Sequence, residues 1–293
     1  MPIPTNRKRV IAIGIAVALL LFFVATWFVG GKLVAPANRE VGDSPLLDCE
    51  QYSISSESGS ELAAWYFPAR IDESKATILL LHPVRADRRA MQGRTQLLQE
   101  NGYATVLIDL QAHGESAGDA ITFGYRERLD VRAAVDWARA KNPDHKIGIV
   151  GWSLGGAAAL LASPLDIDAL VLESVYPTIE EAVHNRIKPK LGPLHHVLAP
   201  TLLMQLKPRL GIDPKSLRPI DHAKEVQCPV LLLCGDKDHH TTIEESKRLL
   251  SAFREPKRLV VFEDAAHVDL LSHDSALYTE AVSDFFSDHL WNH

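Results

Sequence analysis

One serine, Ser153, lies where an apolar strand pattern changes abruptly into a helical pattern. Residues 147–151 are apolar or small and predict a short buried strand, whereas 154–163 are rich in alanine and leucine and predict a helix. Glycines flank the serine at two-residue spacing, in Gly151-Trp152-Ser153-Leu154-Gly155. This G-x-S-x-G pattern is typical of a tight turn that presents a nucleophilic hydroxyl. A serine that only caps the helix is the alternative.

A serine hydroxyl attacks a carbonyl carbon efficiently only when a base takes its proton and a carboxylate orients that base. His267 and Asp238 each follow a short apolar run that predicts a strand, and both come after the serine in the chain. Both residues therefore lie beyond the carboxyl ends of strands. Ligands of open α/β sheets bind at that edge of the sheet. Asp236 and Glu173 are the other candidates for the carboxylate. Asp238 is favoured because it stands far enough past its strand to reach His267.

The elements that must position these groups follow from the alternation of apolar runs with helical patterns. The runs are nearly continuous in Val, Ile and Leu, as in strands covered on both faces, and comprise 76–82, 104–110, 146–152, 168–174, 229–235 and 258–264. Helical patterns lie at 88–101, 126–141, 154–163 and 243–253. This order predicts an α/β fold with a mostly parallel central sheet and helices on both faces. Residues 48–67 predict additional antiparallel edge strands.

The interval 177–226 between two predicted strands is too long for an ordinary connection. Connections of this length are usually functional, so we expect a short helical cap over the ends of the strands. Leu203 and Met204 lie in its most apolar stretch. They either form an acyl pocket for a substrate or pack inside the cap.

The chain from about Leu46 to its C-terminus resembles the α/β-hydrolase superfamily. It is most similar to bacterial hydrolases of the serine aminopeptidase and prolyl-oligopeptidase-like branch. The phrases that carry the resemblance are LLLHPVRADRR, LIDLQAHGES, GWSLGG, GDKDHHT and AAHVDL. The resemblance implies the α/β-hydrolase fold and a catalytic triad in the order Ser153, Asp238, His267. It also implies that the loop from Asp109 to Ser116 shapes the wall of the site.

The same resemblance supplies an oxyanion hole from two backbone amides, those of Val84 and Leu154. Relatives commonly have glycine after the histidine that stands here as His82, whereas this chain has Pro83. Proline has no N–H, but the donor position is the next residue, so the number of donors is unchanged. His82 is expected to fix this loop rather than to react. Arg85 follows the loop and is a candidate for binding an anionic group of a substrate, with an exposed helix start as the alternative.

The N-terminal region predicts a membrane anchor. Arg7, Lys8 and Arg9 precede an uncharged apolar run of a length that crosses a bilayer as a helix. A cleaved signal peptide is the alternative, with 35–37 as a cleavage site. The positive flank predicts that the N-terminus stays in the cytoplasm. The predicted organisation is a cytoplasmic basic tail at 1–9, a transmembrane signal-anchor helix at 10–30, a linker at 31–45 and a hydrolase domain at 46–293 that includes the cap at 177–226.

Charge limits the partners of the predicted extracytoplasmic part. The first 37 residues hold four Lys or Arg and no acid, which leaves 27 basic and 37 acidic side chains, a formal charge of −10. This balance argues against binding of nucleic acid or of anionic lipid. The paired histidines 195–196 and 239–240 should diverge from one another, so we expect no metal site. The three cysteines, at 49, 228 and 234, should be unpaired and mostly buried.

The sequence therefore predicts a single-pass membrane protein whose catalytic domain lies on the non-cytoplasmic side. Its predicted activity is that of a serine hydrolase that cleaves a carboxylic ester or thioester through an acyl-serine intermediate, without a cofactor. A serine peptidase or aminopeptidase acting on short peptides is the alternative within enzymes. A non-catalytic binding module of the same fold is the alternative outside them. A dehalogenase or epoxide hydrolase would need an acid in place of Ser153.

Overall fold

The computed structural model describes residues 5–70 and 76–291, so the first four residues of the predicted cytoplasmic tail lie outside the described chain. Helix α1 spans Thr5–Val34. Its segment Lys8–Val34 is long and apolar enough to cross a membrane, with a mean hydropathy of 2.7 and 6% of its most apolar window buried. The helix therefore continues four residues past the predicted end of the anchor at 30.

The predicted linker is attached to the domain rather than free of it. The amide of Ile121 donates to the carbonyl oxygen of Val34, the last residue of α1, over 2.8 Å. Strand β1 (Ala37–Asn38) then pairs in parallel with β6 (His113–Gly114). These bonds hold the C-terminal end of α1 against the loop that was expected to form a wall of the site.

The main sheet has eight strands in the order β10-β9-β8-β7-β4-β5-β3-β2. Strand β2 pairs antiparallel with β3, and β3 antiparallel with β5, whereas the remaining neighbours are parallel. This arrangement confirms the predicted α/β-hydrolase fold. The bounds are β2 Glu50–Ser55, β3 Glu61–Phe67, β4 Ala76–Leu81, β5 Ala104–Ile108, β7 Lys146–Trp152, β8 Ala169–Glu173, β9 Val230–Gly235 and β10 Lys257–Phe262.

Helices cover both faces of the sheet because alternate residues of each buried strand point to opposite sides. Leu79 and Leu81 of β4 join one apolar cluster with α3 and α4, whereas Ile78 and Leu80 join another with α2 and α11. The bounds of the helices outside the cap are α2 Gln92–Glu100, α3 Glu127–Lys141, α4 Leu154–Ala162, α9 Ile243–Ala252, α10 Leu270–His273 and α11 Ser275–Leu290. Helix α11 was not among the helices predicted from the sequence. Its buried aromatic residues Tyr278, Phe285 and Phe286 pack on one face of the sheet.

The interval 177–226 is helical, as predicted for a cap. Its helices are α5 Ile179–Leu191, α6 His195–Leu203, α7 Leu206–Leu210 and α8 Pro219–His222, and short 3₁₀ turns connect them. Helices α5 and α6 form a hairpin around Gly192, and α6 also contacts α1. The three cysteines are free, as predicted, but Cys234 in β9 is buried whereas Cys49 and Cys228 are partly exposed.

Candidate active site

Ser153 lies at the abrupt turn between β7 and α4, in a backbone conformation that few residues adopt. Its φ of 49° and ψ of −106° fall outside the ordinary regions for an L-residue. A Cβ on Gly151 would lie 2.6 Å from the Cα of Gly156, and one on Gly155 would lie 2.4 Å from the carbonyl oxygen of Leu81. The two flanking glycines are therefore required by backbone contacts, as the G-x-S-x-G pattern predicts.

The strained turn is held by hydrogen bonds on either side of the serine. The amide of Ser153 donates to the carbonyl oxygen of Glu173 on the neighbouring strand β8 over 2.8 Å, and the amide of Ala157 donates to the carbonyl oxygen of Ser153 over 2.9 Å. Ser153 begins α4 with its own side chain not used as a cap. Its hydroxyl is thus left for another role, and the alternative of a helix-capping serine is wrong.

His267 and Asp238, which are 29 residues apart in the chain, meet across the edge of the sheet. The Nδ1 of His267 lies 2.7 Å from Oδ2 of Asp238. The other carboxylate oxygen of Asp238 accepts from the amides of His240 and Thr241 over 2.7 and 2.9 Å. Both oxygens of the buried carboxylate are occupied, so its orientation toward the imidazole is fixed.

The charge on Asp238 is stabilised although the carboxylate is buried. Burial alone would raise the pKa of Asp238, but the hydrogen bond from His267, the charge of that imidazole and the two backbone amides together lower it below its ordinary value. Asp238 is therefore ionised at neutral pH. An ionised acceptor favours the tautomer of His267 that carries its proton on Nδ1.

Strand order brings this pair to the same edge as Ser153. Strand β8 alone separates β7, which leads into Ser153, from β9, which leads into Asp238, and β10 follows next. The hydroxyl of Thr241 donates to the carbonyl oxygen of Ser174 just past β8, over 3.3 Å. The turn that carries Asp238 is therefore fastened next to the residues that hold the serine turn.

The other two candidate carboxylates have different surroundings. Glu173 is fully buried, accepts from Nε of Arg94 over 2.9 Å and also accepts from the hydroxyl of Tyr278. Asp236 is half-buried, and its carboxylate lies 3.8 Å from the ammonium of Lys237. Glu173 thus serves a buried ion pair beneath the serine turn, and Asp238 is the carboxylate that contacts His267.

Arg94 and Tyr278, the two side-chain partners of Glu173, were not among the residues predicted from the sequence. The guanidinium of Arg94 also bonds Asp269, over 2.8 Å, and stacks on the ring of Trp152 at 5.1 Å. One side chain therefore links the strand before Ser153, the strand after it and the loop that follows His267. No motif marks Arg94, but an arginine inside a predicted amphipathic helix next to apolar positions is the signal that was available.

His240 was considered only as a possible metal ligand, yet its ring lies 5.0 Å from the ring of His267. Burial lowers the pKa of His240, and the positive charge of Arg186 lowers it further. His240 is therefore uncharged at neutral pH. It forms a neutral, polar part of the wall beside the imidazole.

The oxyanion loop after β4 is fixed by His82. Its Nε2 accepts from the amide of Leu110 over 3.0 Å, so its Nδ1 carries the proton that bonds the carbonyl oxygen of Pro83, at 2.8 Å. Complete burial lowers the pKa of His82 to about 4, which keeps the ring neutral. In the described chain no acceptor is bonded to the amides of Val84 and Leu154. Their role as oxyanion donors stays a prediction.

The wall loop is held by a second buried arginine. Arg88 donates to the carboxylates of Asp109 and Glu115, and its guanidinium lies 4.5 Å from the centre of the Trp65 ring. Glu115 in turn accepts from the amides of residues 41 and 42 over 3.0 Å. The structural role expected for this loop therefore includes anchoring the chain that follows β1.

The structure gives the surroundings of Arg85 and Met204, two of the residues that were candidates for substrate binding. Arg85 donates to carbonyl oxygens at the end of α1, those of Lys32, Leu33 and Ala35, because these groups lack partners within the helix. Met204 is exposed on the outer face of the cap. These contacts give both residues surroundings other than a substrate, and their roles in substrate binding stay predictions.

Leu203 lines an apolar cavity of about 30 Å³ between the cap and α1. The lining residues from α1 are Gly30, Leu33 and Val34, and Phe123, which precedes α3, also lines the cavity. The cavity holds about one small group, so in this conformation it is too small for an acyl chain. Leu203 therefore packs against the N-terminal helix rather than forming an open substrate pocket.

Three imidazoles of the cap come together, contrary to the expectation that neighbouring histidines diverge. One nitrogen of each of His184, His195 and His196 lies within 4.8 Å of the other two. The rings of His195 and His196 are 3.9 Å apart and tilted by 36°, because the pair begins α6 where the chain turns back on α5. This cluster is a candidate metal site, separate from the edge that carries Asp238 and His267.

Comparison with known proteins finds relatives that span most of the chain. The chain is 26% identical over 272 residues to the uncharacterized protein YfhR of Salmonella typhi, which covers 85% of both chains. It is 29% identical over 206 residues to the lysophosphatidylserine lipase ABHD12 of Macaca fascicularis, over 64% of this chain and 47% of that one. The second match spans under half of the lipase.

The fold is shared with solved structures. The esterase Pf2001 of Pyrococcus furiosus superposes with a TM-score of 0.71 at 21% identity, covering 88% of this chain and 98% of the esterase. Residues 78–281, most of the domain described above, match the alpha/beta hydrolase family. With its sheet order and this match, the chain belongs to the alpha/beta hydrolase family.

Proposed function

We propose that this protein is a membrane-anchored serine hydrolase that cleaves a carboxylic ester or thioester through an acyl-serine intermediate. The observation that carries the proposal is the 2.7 Å bond between His267 and Asp238 at the edge where the turn of Ser153 ends β7. The three residues would form a catalytic triad in which each has one role.

The tautomer of His267 defines its role as the base. Because ionised Asp238 holds the proton on Nδ1, the Nε2 nitrogen is unprotonated and can take the proton of Ser153. The serine oxygen then attacks the carbonyl carbon of the substrate. Asp238 remains ionised throughout and stabilises the imidazolium that forms.

Two backbone amides would receive the negative charge that develops on the carbonyl oxygen. These are the amides of Val84 and Leu154, and the second begins α4, where the helix dipole also favours an anion. Collapse of the tetrahedral intermediate expels the alcohol or thiol, which takes the proton from His267. Water then attacks the acyl-serine by the same route and releases the acid.

Two similar proteins are named as a lipase and an esterase, which supports an ester, and the fold is also shared with an acylaminoacyl peptidase, which keeps a peptide as the alternative. The decisive test uses the full chain in detergent with a fluorophosphonate probe and a panel of p-nitrophenyl esters, acyl thioesters and aminoacyl-nitroanilides. We expect labelling that is lost in Ser153→Ala and kept in the exposed control Ser251→Ala. Turnover should be highest on an ester or thioester.

Two outcomes would contradict this proposal in different ways. Faster cleavage of the nitroanilides than of any ester would identify a peptidase. Absence of both labelling and turnover in a folded wild-type protein would indicate a binding module.

The proposal includes an orientation for the anchor. Because Arg7, Lys8 and Arg9 precede the apolar run of α1, the N-terminus should be cytoplasmic and the hydrolase domain should lie on the opposite side of the membrane. A C-terminal alkaline phosphatase fusion should then be active, and the protein should stay with membranes after a salt wash. An inactive phosphatase fusion together with a fluorescent cytoplasmic reporter would reverse the orientation.

A further inference from the structure

The outer face of α6 carries an apolar stripe that no part of the described chain covers. Leu194, Val197 and Met204 follow helical spacing and are 61%, 57% and 72% exposed, and Leu191 at the end of α5 is 40% exposed. The opposite side of α6, with Ala199 and Leu202, is buried. Large exposed apolar residues that form one contiguous face of a helix usually mark a contact surface.

This stripe lies beside the membrane helix. Gly30 of α1 is packed so closely on the cap that a Cβ there would lie 2.2 Å from Oε1 of Gln205. Arg209 donates to the carbonyl oxygen of Trp27 and stacks on the Trp27 ring at 3.7 Å. The cap is therefore held at the level of the last two turns of α1, where a membrane-spanning helix leaves the bilayer. Helix α6, which carries Val197 of the stripe, also contacts α1 directly.

Charge around the stripe has the opposite sign to the rest of the domain. The segment 182–212 contains five Lys or Arg and no Asp or Glu, although residues 38–293 as a whole have a formal charge of −10. Lys188, Lys190 and Lys207 of this segment are exposed. The net charge used to argue against anionic lipid therefore conceals a basic, apolar segment of the kind that lies in membrane interfaces.

We propose that the α5–α6 hairpin is a binding site for the anionic surface of the bilayer that holds α1, with Leu194, Val197 and Met204 inserted among the acyl chains and the three exposed lysines on the headgroups. Building on the proposed function, this surface assigns the substrate class: an ester whose acyl chain resides in the membrane. Such a substrate would enter the site from the bilayer side of the cap, and α1 and the cap would have to separate at the cavity lined by Leu203, which is too small for an acyl chain in this conformation.

The membrane contact is tested without reference to activity. A nitroxide label is attached at Val197→Cys or Met204→Cys of the full chain, in a background with Cys49→Ser and Cys228→Ser, in nanodiscs with or without phosphatidylglycerol. We expect both labels to be relaxed more by oxygen than by an aqueous nickel chelate when the lipid is anionic. The matched control is a label at Ser251→Cys on α9, which should show the opposite preference.

The lysines are tested in the same way. Lys188→Gln, Lys190→Gln and Lys207→Gln combined should remove the difference between anionic and neutral lipid at the Val197 label. Labels at 197 and 204 that are as accessible to the nickel chelate as the label at Ser251 would overturn the proposed surface. A difference between lipids that survives the triple variant would overturn the role of the lysines.

Substrate delivery has its own measurement. Val197→Asp should lower hydrolysis of a bilayer-resident p-nitrophenyl ester by at least roughly tenfold and leave a water-soluble p-nitrophenyl acetate unaffected. Leu47→Asp, a change at an exposed leucine outside the cap, is the control. If Val197→Asp hydrolyses the bilayer-resident ester as fast as the wild type does, and also the soluble ester, delivery through this surface is refuted. A wild type inactive on both esters would refute the proposed function, while the label accessibilities would still decide the membrane contact.

The histidine cluster of the cap carries a second, independent inference. His184 lies on α5, and His195 and His196 begin α6, so the three imidazoles bridge the hairpin. The Nδ1 of His195 lies 2.6 Å from the carbonyl oxygen of Gly192, which leaves Nε2 of this buried ring for a ligand. A metal-bound histidine commonly donates its second N–H to a carbonyl group in this way.

From this geometry we infer a site for a divalent transition metal, Zn²⁺ by ligand type, held by His184, His195 and His196. Tetrahedral zinc needs ligand nitrogens roughly 3.4 Å apart. The three nitrogens now lie within 4.8 Å of one another. A small rotation of the rings would therefore complete the site. The fourth position would hold water. Such a metal cross-links α5 to α6 and stiffens the hairpin.

The test measures binding and stability of the full chain in detergent. Zn²⁺ should raise the melting temperature of the wild type and of His222→Ala, a control on another cap histidine, but not of His184→Gln or His196→Gln. Cu²⁺ as a spectroscopic substitute should give an electron paramagnetic resonance signal with hyperfine structure from several nitrogens. Equal effects of Zn²⁺ on wild type and His196→Gln, or a copper signal unchanged in His184→Gln, would overturn the site.

Discussion

Replacing Asp238 with asparagine should force His267 into the unproductive tautomer. One carboxylate oxygen of Asp238 accepts from two backbone amides, at 2.7 and 2.9 Å. In Asp238→Asn these two donors require an oxygen, so the side-chain NH₂ must take the other position and face Nδ1 of His267. The imidazole then accepts on Nδ1 and carries its proton on Nε2, where it cannot remove the proton of Ser153.

The expected loss follows from the chemistry of that proton transfer. Enforcing the wrong tautomer in a serine-protease triad lowers kcat by about 10⁴, which corresponds to about 5.5 kcal/mol of transition-state stabilisation. Asp238→Asn is nearly isosteric and keeps the two bonds to the backbone amides. Stability should therefore change far less than turnover.

The assay compares kcat on one soluble p-nitrophenyl ester for full-length variants whose melting temperatures are measured in parallel. Asp236→Asn is the matched control in the same turn and should retain near-normal kcat. The main effect of Glu173→Gln should be a lower melting temperature rather than a lower kcat, because it breaks the buried ion pair with Arg94. Near-normal kcat in Asp238→Asn, with collapse of kcat in a folded Glu173→Gln, would refute the assignment of the carboxylate.

Three further predictions concern the supports of the site. Gly155→Ala should lower stability by about 1–3 kcal/mol, because its Cβ would meet the carbonyl oxygen of Leu81 at 2.4 Å; thermal melting in detergent measures this. Arg94→Met should cost about 3–5 kcal/mol, because it leaves the buried carboxylate of Glu173 unpaired; denaturant unfolding measures this. The pKa of His82 falls from 6.5 to about 4 on burial, so the unfolded chain binds its proton first as pH drops. The contribution of neutral, buried His82 to the free energy of unfolding is fully present above about pH 6.5 and should decline by roughly 3 kcal/mol toward pH 4. A falling melting temperature measures this decline.

Each of these predictions has a matched control. Gly14→Ala meets no atom within 4 Å and should leave the melting temperature unchanged. Arg218→Met breaks an exposed pair with Asp221 and should cost no more than about 1 kcal/mol. The slope of stability against pH between 6.5 and 4 should be smaller in His82→Gln. A Gly155→Ala variant as stable as Gly14→Ala would contradict the close contact between Gly155 and Leu81. Equal losses of unfolding free energy in Arg94→Met and Arg218→Met would contradict the importance of the buried ion pair.

The sequence was sufficient for those parts of the fold that depend on local patterns. The six apolar runs became the six parallel strands to within two residues at each end, because strands buried on both faces require nearly continuous apolar side chains. The turn at Ser153 was equally readable, since only glycine fits at positions 151 and 155. Asp238 and His267 could be paired in advance because each follows a strand at the same edge of a parallel sheet.

Tertiary structure alone decided contacts between segments that are distant in the chain. Arg94 meets Glu173 across 79 residues and Asp269 across 175, and no periodic pattern encodes which buried charges will pair. Likewise, Arg85 is bonded to the end of α1, and Met204 faces outward, because the packing of the cap on α1 determines which face of each element is covered. The meeting of His184 with His195 and His196 depends on the turn between α5 and α6. Sequence periodicity fixes which face of an element is apolar, whereas the partner of that face depends on how the elements pack.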